Sequence, residues 1–263
     1  MSDAACDVIV LAGDRGPGDP LASSAGVAGK VLVTVEGRPM LERVLESVER
    51  ATSTARPIVV CPGSRAYLEV LSSSAVGERV DPSTGPAASA ASALERISSS
   101  RDVLLVTGDH PLLRPAWLDA FIGSARDSGA EAVVGVVDHA SIRQRFEGHR
   151  RTHYRFADCA VCGTNLFYVS GRRGRDVVRL WRAFEADRKR PWRIVARLGW
   201  WNLARYLVGR LTLKQATLAL SARLGARIEA VFIDDAEAAV DVDSPADLRF
   251  VERLLAERDA RTI

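Results

Sequence analysis

Short apolar runs of strand length alternate with helix-length segments along most of this chain, and that alternation restricts the fold more than any other feature. Strands are predicted near 7–12, 57–61, 103–107, 131–137, 162–169 and 228–233, with a short one at 239–242. Helices are predicted near 39–51, 64–72, 86–97, 115–128 and 245–258. This succession argues for an α/β architecture: a mostly parallel, doubly wound sheet covered by helices. Between about 173 and 224 the alternation stops, and a helical insertion is expected from Arg175–Arg188, Pro191–Val208 and Leu213–Leu224. A chain of 263 residues then reads as one large domain, 1–263, carrying that insertion and able to bury a full core.

The first strand leads into a distinctive loop. Val8 to Leu11 is apolar, Ala12 and Gly13 break the run, and Asp14, Arg15, Gly16, Pro17 and Gly18 follow. An Ala/Ser-rich stretch from Asp19 to Gly29 then reaches Lys30. A strand ending in a glycine-rich loop with a nearby cation is how open α/β proteins present backbone N–H groups to phosphate. The chain has only three Lys (Lys30, Lys189, Lys214) against 33 Arg, so a lysine at this position stands out. The plainer alternative is an ordinary strand-to-helix loop with a solvated lysine.

Two further segments carry carboxylates to places where such folds bind ligands. Val103 to Thr107 is an apolar strand followed by Gly108 and Asp109, after which Pro111 and Pro115 turn the chain into a helix. Near the other end, Asp241 and Asp243 stand two residues apart, which in a strand would place them on one face. Ser244 is then a natural N-cap, with Pro245 at the first helical position and Asp247 at the third.

Together these pieces resemble the MobA-like nucleotidyltransferases, the NTP transferase superfamily with a Rossmann-like fold of the GT-A type. The resemblance rests on the Gly-loop-Lys start, Gly37-Arg-Pro-Met-Leu41, Gly85-Pro86-Ala-Ala-Ser89, Thr107-Gly-Asp-His-Pro-Leu-Leu113 and Val240-Asp-Val-Asp-Ser-Pro-Ala-Asp-Leu248, in the family's order over 8–250. The stretch between Gly13 and Lys30 is longer than the family's usual compact loop.

What the resemblance implies is a three-layer αβα fold and transfer of a nucleoside monophosphate from a nucleoside triphosphate to a phosphorylated small molecule, with pyrophosphate released. A phosphate monoester is already largely dianionic near neutral pH, so the chemistry needs charge neutralisation and in-line positioning more than a base. Mg2+ suits such a site, with Asp109 and Asp241 as first-choice ligands and Asp243 as second choice, which otherwise braces the helix start. Lys30 and Arg15 would hold the triphosphate, with Leu11, Ala12 and Gly13 as loop contacts, and Gly85, Pro86 and Ser89 would read the base. For the acceptor, Thr164 and Asn165 match the strand that faces it in sugar nucleotidyltransferases, the alternative being a strand-edge Asn that caps a turn. Arg150, Arg151 and Arg155 suit its phosphate. His110 either touches phosphate or fixes the turn before Pro111. Two rivals stand beside this reading: a GT-A glycosyltransferase, because Asp241-Val-Asp243 is a D-x-D motif, and a non-catalytic nucleotide-binding or membrane-recruited protein.

Composition constrains the partners. Apolar and charged contents of 47% and 26% are ordinary globular values, no run approaches the ~18 apolar residues of a membrane span, and the acidic N-terminus does not resemble a signal peptide. Four Cys do not make a disulfide framework in a chain of this size, so a reducing cytoplasm is expected. Cys159-Ala-Val-Cys162 lacks a second Cys pair for zinc and reads better as part of a buried strand. The net charge of +3 hides a division: 171–214 holds 13 Lys or Arg and 3 Asp or Glu, a net +10, leaving −7 elsewhere. No nucleic-acid-binding motif accompanies it, so nucleic acid is not expected. Trp192, Trp200, Trp201 and Tyr206 lie among Arg193, Arg197, Arg205 and Arg210. Either these aromatics pack the helix onto the domain, or the segment makes peripheral contact with an anionic membrane at its cytoplasmic face.

Overall fold

The structure, a computed structural model, describes residues 4–13, 18–147, 151–185, 196 and 199–262. The chain divides into two compact units: Met1–Arg96, Leu105–Ala120 and Val240–Ile263 form the first, and Ile97–Leu104 with Phe121–Ala239 the second.

The first unit begins with strand β1 (Asp7–Leu11) and a short helix α1 (Pro20–Ala25) that the sequence reading did not anticipate. Its signals are nevertheless present: the Asp19 carboxylate accepts from Leu21 N (3.0 Å) and Ala22 N (3.1 Å), Pro20 opens the helix, and Gly26 closes it at φ 67°. A 3-10 turn at Lys30–Leu32 leads into a tight hairpin, β2 (Thr34–Val35) against β3 (Arg38–Pro39). Glu36 and Gly37 both take positive φ (48° and 76°), the backbone such a two-residue turn requires. Pro39, predicted inside the next helix, instead precedes it and pairs with Thr34, so α2 runs Met40–Arg50. Met40, Leu41, Val44, Leu45 and Val48 are buried at three- and four-residue spacing, which explains why this segment is a helix packed on one face.

β4 (Ile58–Val60), α3 (Arg65–Ser72), the unpredicted three-residue β5 (Glu78–Val80), α4 (Pro86–Leu94), β6 (Val103–Thr107) and α5 (Pro115–Ser128) follow. β1 pairs in parallel with β4 and β4 with β5, while β6 lies on the other side of β1. The helix predicted to reach residue 97 stops at Leu94.

In the second unit β7 (Ala132–Asp138) is central; a short helix α6 (His139–Arg145), strand β8 (Tyr154–Arg155), strand β9 (Ala160–Val169) and helix α7 (Gly171–Glu185) follow it. Then come α8 (Trp200–Leu207), α9 (Leu213–Leu224) and β10 (Ile228–Phe232). β10 is parallel to β7, and β9 is antiparallel to both β7 and β8. Cys162 is buried in β9, as the strand reading of Cys159–Cys162 requires, and none of the four cysteines is in a disulfide. α7 is tied down by Arg175, a buried guanidinium that donates to the carbonyls of Ile97 (2.9 Å) and Ser98 (2.5 Å). One charge of the basic segment is therefore spent inside the fold. The helix expected over Pro191–Val208 is described as a helix from Trp200 on; Trp192, Arg193 and Arg197 lie outside the described residues.

The chain returns to the first unit through a 3-10 turn at Ala236–Ala239 and ends in α10 (Pro245–Thr262). The strand predicted at 239–242 does not form. The turn takes up its start, the Ser244–Pro245 helix start closes it off, and an extended link with a bond from Val242 N to Asp109 O (3.0 Å) remains.

The result is a mixed, mostly parallel sheet with helices flanking it, the α/β class expected from the sequence.

Candidate active site

Three loops of the first unit converge at the carboxyl ends of its strands. The first leaves β1, with Ala12 N bonded to Val60 O (2.9 Å), and places Gly13 against the loop after β5: a Cβ on Gly13 would stand 3.3 Å from that of Pro82. The second leaves β6. Gly108 N donates to Leu11 O (2.9 Å), and a Cβ there would meet Ala12, Val31 and Leu41 at 3.2–3.3 Å. That tight approach is why a glycine precedes Asp109. The third is the 240–244 link, which Val242 N fastens to the Asp109 backbone.

At their meeting point Lys30 bridges two carboxylates. Its Nζ donates to Asp109 Oδ2 at 2.5 Å and to Asp243 Oδ1 at 2.6 Å. Lys30 is buried, Asp109 nearly so, and Asp243 almost half exposed at its side chain (46%). Burial by itself would lower the lysine pKa; the two carboxylates and their hydrogen bonds outweigh it and hold Lys30 above its ordinary value, so it is a cation at neutral pH. Asp243 is the carboxylate that shares Lys30 with Asp109; Asp241 stands two residues before it, on the same irregular link.

Around this triad the helix starts are well braced. Ser244 Oγ donates to Asp247 Oδ2 (2.7 Å) and accepts from Asp247 N (3.2 Å), while Asp243 N donates to Asp247 Oδ2 (3.3 Å). Ser244 and Asp247 thus cap α10 as the sequence indicated. His110 is buried and stacked on Trp117 (6.0 Å between centroids), with its carbonyl accepting from Leu113 N. Of its two predicted roles, the structure supports fixing the turn.

Asp109 also answers whether a divalent cation suits the site. Its Oδ1 is buried with no hydrogen-bond partner, although buried carboxylate oxygens are ordinarily satisfied. Two carboxylates and one ammonium carry a formal −1, and hard oxygen donors match Mg2+. The donor set therefore fits a cation that completes its shell with water and ligand oxygens. Among the described residues no group of three or more His, Cys, Asp or Glu is placed to hold a metal ion.

The loop after β5 is held as closely. Ser89 is buried, and its Oγ accepts from Ser83 N (2.9 Å), folding the loop after β5 back onto α4, while Ser89 N donates to Gly85 O. Sequence reasoning missed Arg79, which donates to Cys61 O (3.0 Å) and to Asp81 Oδ1 (2.6 Å) and lies against Gly63. A strand of three residues left too little periodicity to flag it.

In the second unit, Thr164 is buried and donates to Gly135 O (2.9 Å), so its hydroxyl is used within the sheet. Asn165 beside it takes φ 58°, one of two non-glycine residues with positive φ among those described, where the register between β7 and β9 shifts. Arg155 is exposed and Arg151 half-buried. Arg15 and Arg150 lie outside the described residues.

Comparison with known proteins agrees with this arrangement. Residues 8–233 match the MobA-like NTP transferase domain. A 3-deoxy-manno-octulosonate cytidylyltransferase of Burkholderia ambifaria (strain MC40-6) is 38% identical over 118 residues, spanning 43% of this chain and 42% of that protein. Among solved structures, a hypothetical transferase from Thermus thermophilus is 30% identical with a TM-score of 0.77, covering 93% of this chain and 99% of its own. CMP:2-keto-3-deoxy-manno-octonic acid synthetase in complex with CTP (17% identical, TM-score 0.59; 97% of this chain, 99% of its own) shares the fold. So does 4-diphosphocytidyl-2C-methyl-D-erythritol synthase of Anaerococcus prevotii DSM 20548 (14%, 0.57; 97% and 100%). With a Lys–Asp pair at the strand ends and a family match across most of its length, this chain belongs to the MobA-like NTP transferases, nucleotidyltransferases of the Rossmann-like α/β fold.

Proposed function

We propose that the protein transfers a nucleoside monophosphate from a nucleoside triphosphate to a phosphorylated small molecule. An acceptor phosphate oxygen attacks the α-phosphorus, the bond from that phosphorus to the bridging oxygen of the β-phosphate breaks, and pyrophosphate leaves with the electron pair. The observation that carries this reading is Lys30 held between Asp109 and Asp243 at the strand ends. Lys30 offers a fixed ammonium to the charge that builds on the leaving pyrophosphate, in a site where burial strengthens that interaction. Asp109 and Asp243 are the proposed holders of Mg2+, with Asp241 as the further carboxylate within reach in sequence. A bound Mg2+ would neutralise triphosphate charge and orient it. Loop atoms of Leu11, Ala12 and Gly13 bind phosphate, with Arg15 assigned there from sequence, and the segment from Gly85 to Ser89 reads the base through its backbone. Arg151 and Arg155, with Arg150 from sequence, are assigned to acceptor phosphate, and Asn165 to acceptor positioning. A left-handed backbone inside a strand is the kind of local strain that persists where a side chain must be aimed.

CTP is the proposed donor, because two of the relatives are named for cytidylyl transfer or were solved with CTP. The test is pyrophosphate release from ATP, GTP, CTP and UTP, each with and without Mg2+, against a panel of sugar phosphates and phospho-alcohols. Release that depends on one base, on Mg2+ and on Asp109 supports the reading. Turnover of a nucleotide sugar without pyrophosphate release would replace it with the glycosyltransferase reading. Binding of nucleotide with no turnover of any acceptor would favour a non-catalytic role.

A further inference from the structure

Helix α8 carries apolar residues well beyond the side that it packs. That side is accounted for: Leu203 and Tyr206 pack on Leu211 and Ala216 together with Phe156, whose ring meets Tyr206 edge-on at 6.2 Å. At 100° per residue, Trp201 and Ala204, with Val208 just past the helix end, lie on the side away from Leu203 and Tyr206, and Trp200 and Leu207 lie between the two sides. There Trp200 is 82% exposed, Trp201 73%, Leu207 68% and Val208 66%. Isolated exposed apolar residues need no explanation, but four large ones on a single short helix form a patch, and such patches mark contacts.

The patch sits on a firm base. Thr212 and Gln215 form a capping box at the start of α9, Arg205 donates to Gln215 Oε1 (2.7 Å), and Ala157 N donates to Leu211 O (2.8 Å). Leu213 N in turn donates to the Asp158 carboxylate (3.0 Å). The C-terminal half of α8 and the start of α9 are therefore fastened to one another and to the 156–158 segment.

Its charge setting selects the partner. Between Asp187 and Glu229 the chain has ten Arg or Lys and no Asp or Glu. Of these, Arg210 and Lys214 are exposed just beyond the patch. A second copy of the same face would set Arg210 and Lys214 against their like-charged counterparts. A soluble polyanion would satisfy the cations but offer no apolar phase for Trp200, Trp201, Leu207 and Val208. A bilayer with anionic headgroups satisfies both demands: tryptophan favours the headgroup region, and leucine and valine reach the acyl boundary. Among the described residues no helix is long and apolar enough to cross a membrane, so any contact through α8 lies along the surface.

We propose that α8, with the basic residues that border it, docks the protein on the anionic face of a lipid bilayer. The test is co-sedimentation of the full chain with vesicles of phosphatidylglycerol in phosphatidylcholine and with phosphatidylcholine alone. Quenching of tryptophan fluorescence by brominated lipid reports depth. The expected result is binding to the anionic vesicles about tenfold or more tighter than to the neutral ones, weakening as salt is raised. Trp200→Ser with Trp201→Ser should lower that binding by about tenfold and remove the quenching. Arg210→Gln with Lys214→Gln should weaken it by roughly fivefold per charge, as expected near an anionic leaflet. All four positions are exposed, so circular dichroism should show both variants folded; a variant that unfolds is replaced by Leu207→Ser with Val208→Ser under the same readout. The proposal is overturned if wild type ignores anionic vesicles, or binds neutral ones equally, or if folded tryptophan variants bind as wild type does. It is likewise overturned if sedimentation velocity shows that the tryptophan variants only dissociate a dimer.

Discussion

Lys30 Nζ lies 2.5 Å from Asp109 Oδ2, joining two side chains 79 positions apart in the chain, and the same ammonium reaches Asp243 at 2.6 Å. Buried cations persist where carboxylates compensate them, and here a cation and two anions leave a formal −1 beside a buried carboxylate oxygen with no partner. Lys30→Met should remove the compensation and the proposed phosphate contact together. The expected loss in turnover is on the order of 10²–10³-fold, the scale of deleting one preorganised charge-stabilising donor. Stability should fall by about 1–3 kcal/mol, less than for a fully buried pair because Asp243 is largely solvated. Pyrophosphate release and urea unfolding of the same variant measure the two effects. Unchanged turnover in a folded variant would remove Lys30 from the chemistry.

Asp241 and Asp243 make separable predictions. Asp243 contacts Lys30 through its side chain, while its backbone N–H helps close the α10 cap. Asp243→Asn keeps the backbone contact and removes the charge, so it should reduce turnover by about tenfold to a hundredfold and raise the Mg2+ concentration needed for half-maximal rate. The helix should remain intact. Asp241→Asn should do the same only if its carboxylate also reaches the cation. Titrating Mg2+ against initial rate for both variants ranks the two carboxylates, and an Asp243→Asn variant with wild-type kinetics would leave that residue as a brace for the helix.

Much of this was legible in the sequence because the fold depends on long, repeated signals. β1, β6, β7 and β9 each bury consecutive apolar residues, and α2 buries one face at helical spacing. Lys30 and Asp109 could each be singled out, Lys30 as the cation of the loop after β1 and Asp109 at the end of β6, where open α/β sheets gather ligands, but not their bond to one another. What escaped was short. α1 is six residues, β5 is three and β8 is two, too few for periodicity to speak, although the Asp19–Pro20 start and the Gly26 stop spelled out α1. The choice between Asp241 and Asp243 was also out of reach. The sequence rule placed both on one strand face, whereas the link between the 3-10 turn and α10 is not a strand, and its course follows from the tertiary bond to Asp109. Burial of Thr164 likewise came from a partner strand that no local pattern names.

That partner contact yields a test of its own. A Cβ on Gly135 would stand 2.5 Å from Thr164 Oγ1, so Gly135→Ala must push the threonine away or distort β7. The expected cost is about 1–3 kcal/mol, the range for overpacked cores. Thr164→Ala removes the obstacle and the bond to Gly135 O, at a cost of about 1 kcal/mol. Combined, the two should cost less than their sum, because the second substitution relieves the clash made by the first. Urea midpoints of the four proteins close the cycle. Strict additivity would mean that the two residues do not press on one another.

Alkaline pH should weaken the fold, and the sign follows from three groups. Burial pushes the Cys61 and Cys162 thiols up to about 11, from an ordinary value of 9.0. Lys30 is raised above 10.5. Between about pH 9 and 11 the unfolded chain releases thiol protons that the native state keeps, so the native state binds more protons and stability falls as pH rises. Lys30 acts in the same direction: the stability it contributes is complete below its unfolded pKa and is lost as pH climbs through the higher folded value. Each shifted thiol should contribute a decline on the order of 2 kcal/mol across that window. The urea midpoint should therefore be flat from pH 7 to about 8.5 and fall beyond it. Cys61→Ala with Cys162→Ala should lower stability at pH 7 by creating small cavities, yet reduce the slope between pH 9 and 10 to the smaller share of the half-buried Cys159, whose thiol is also raised to about 11 by burial and by Asp158, with the Lys30 contribution appearing above 10.5. A slope that survives the double substitution unchanged would show that the buried thiols do not govern the alkaline limb.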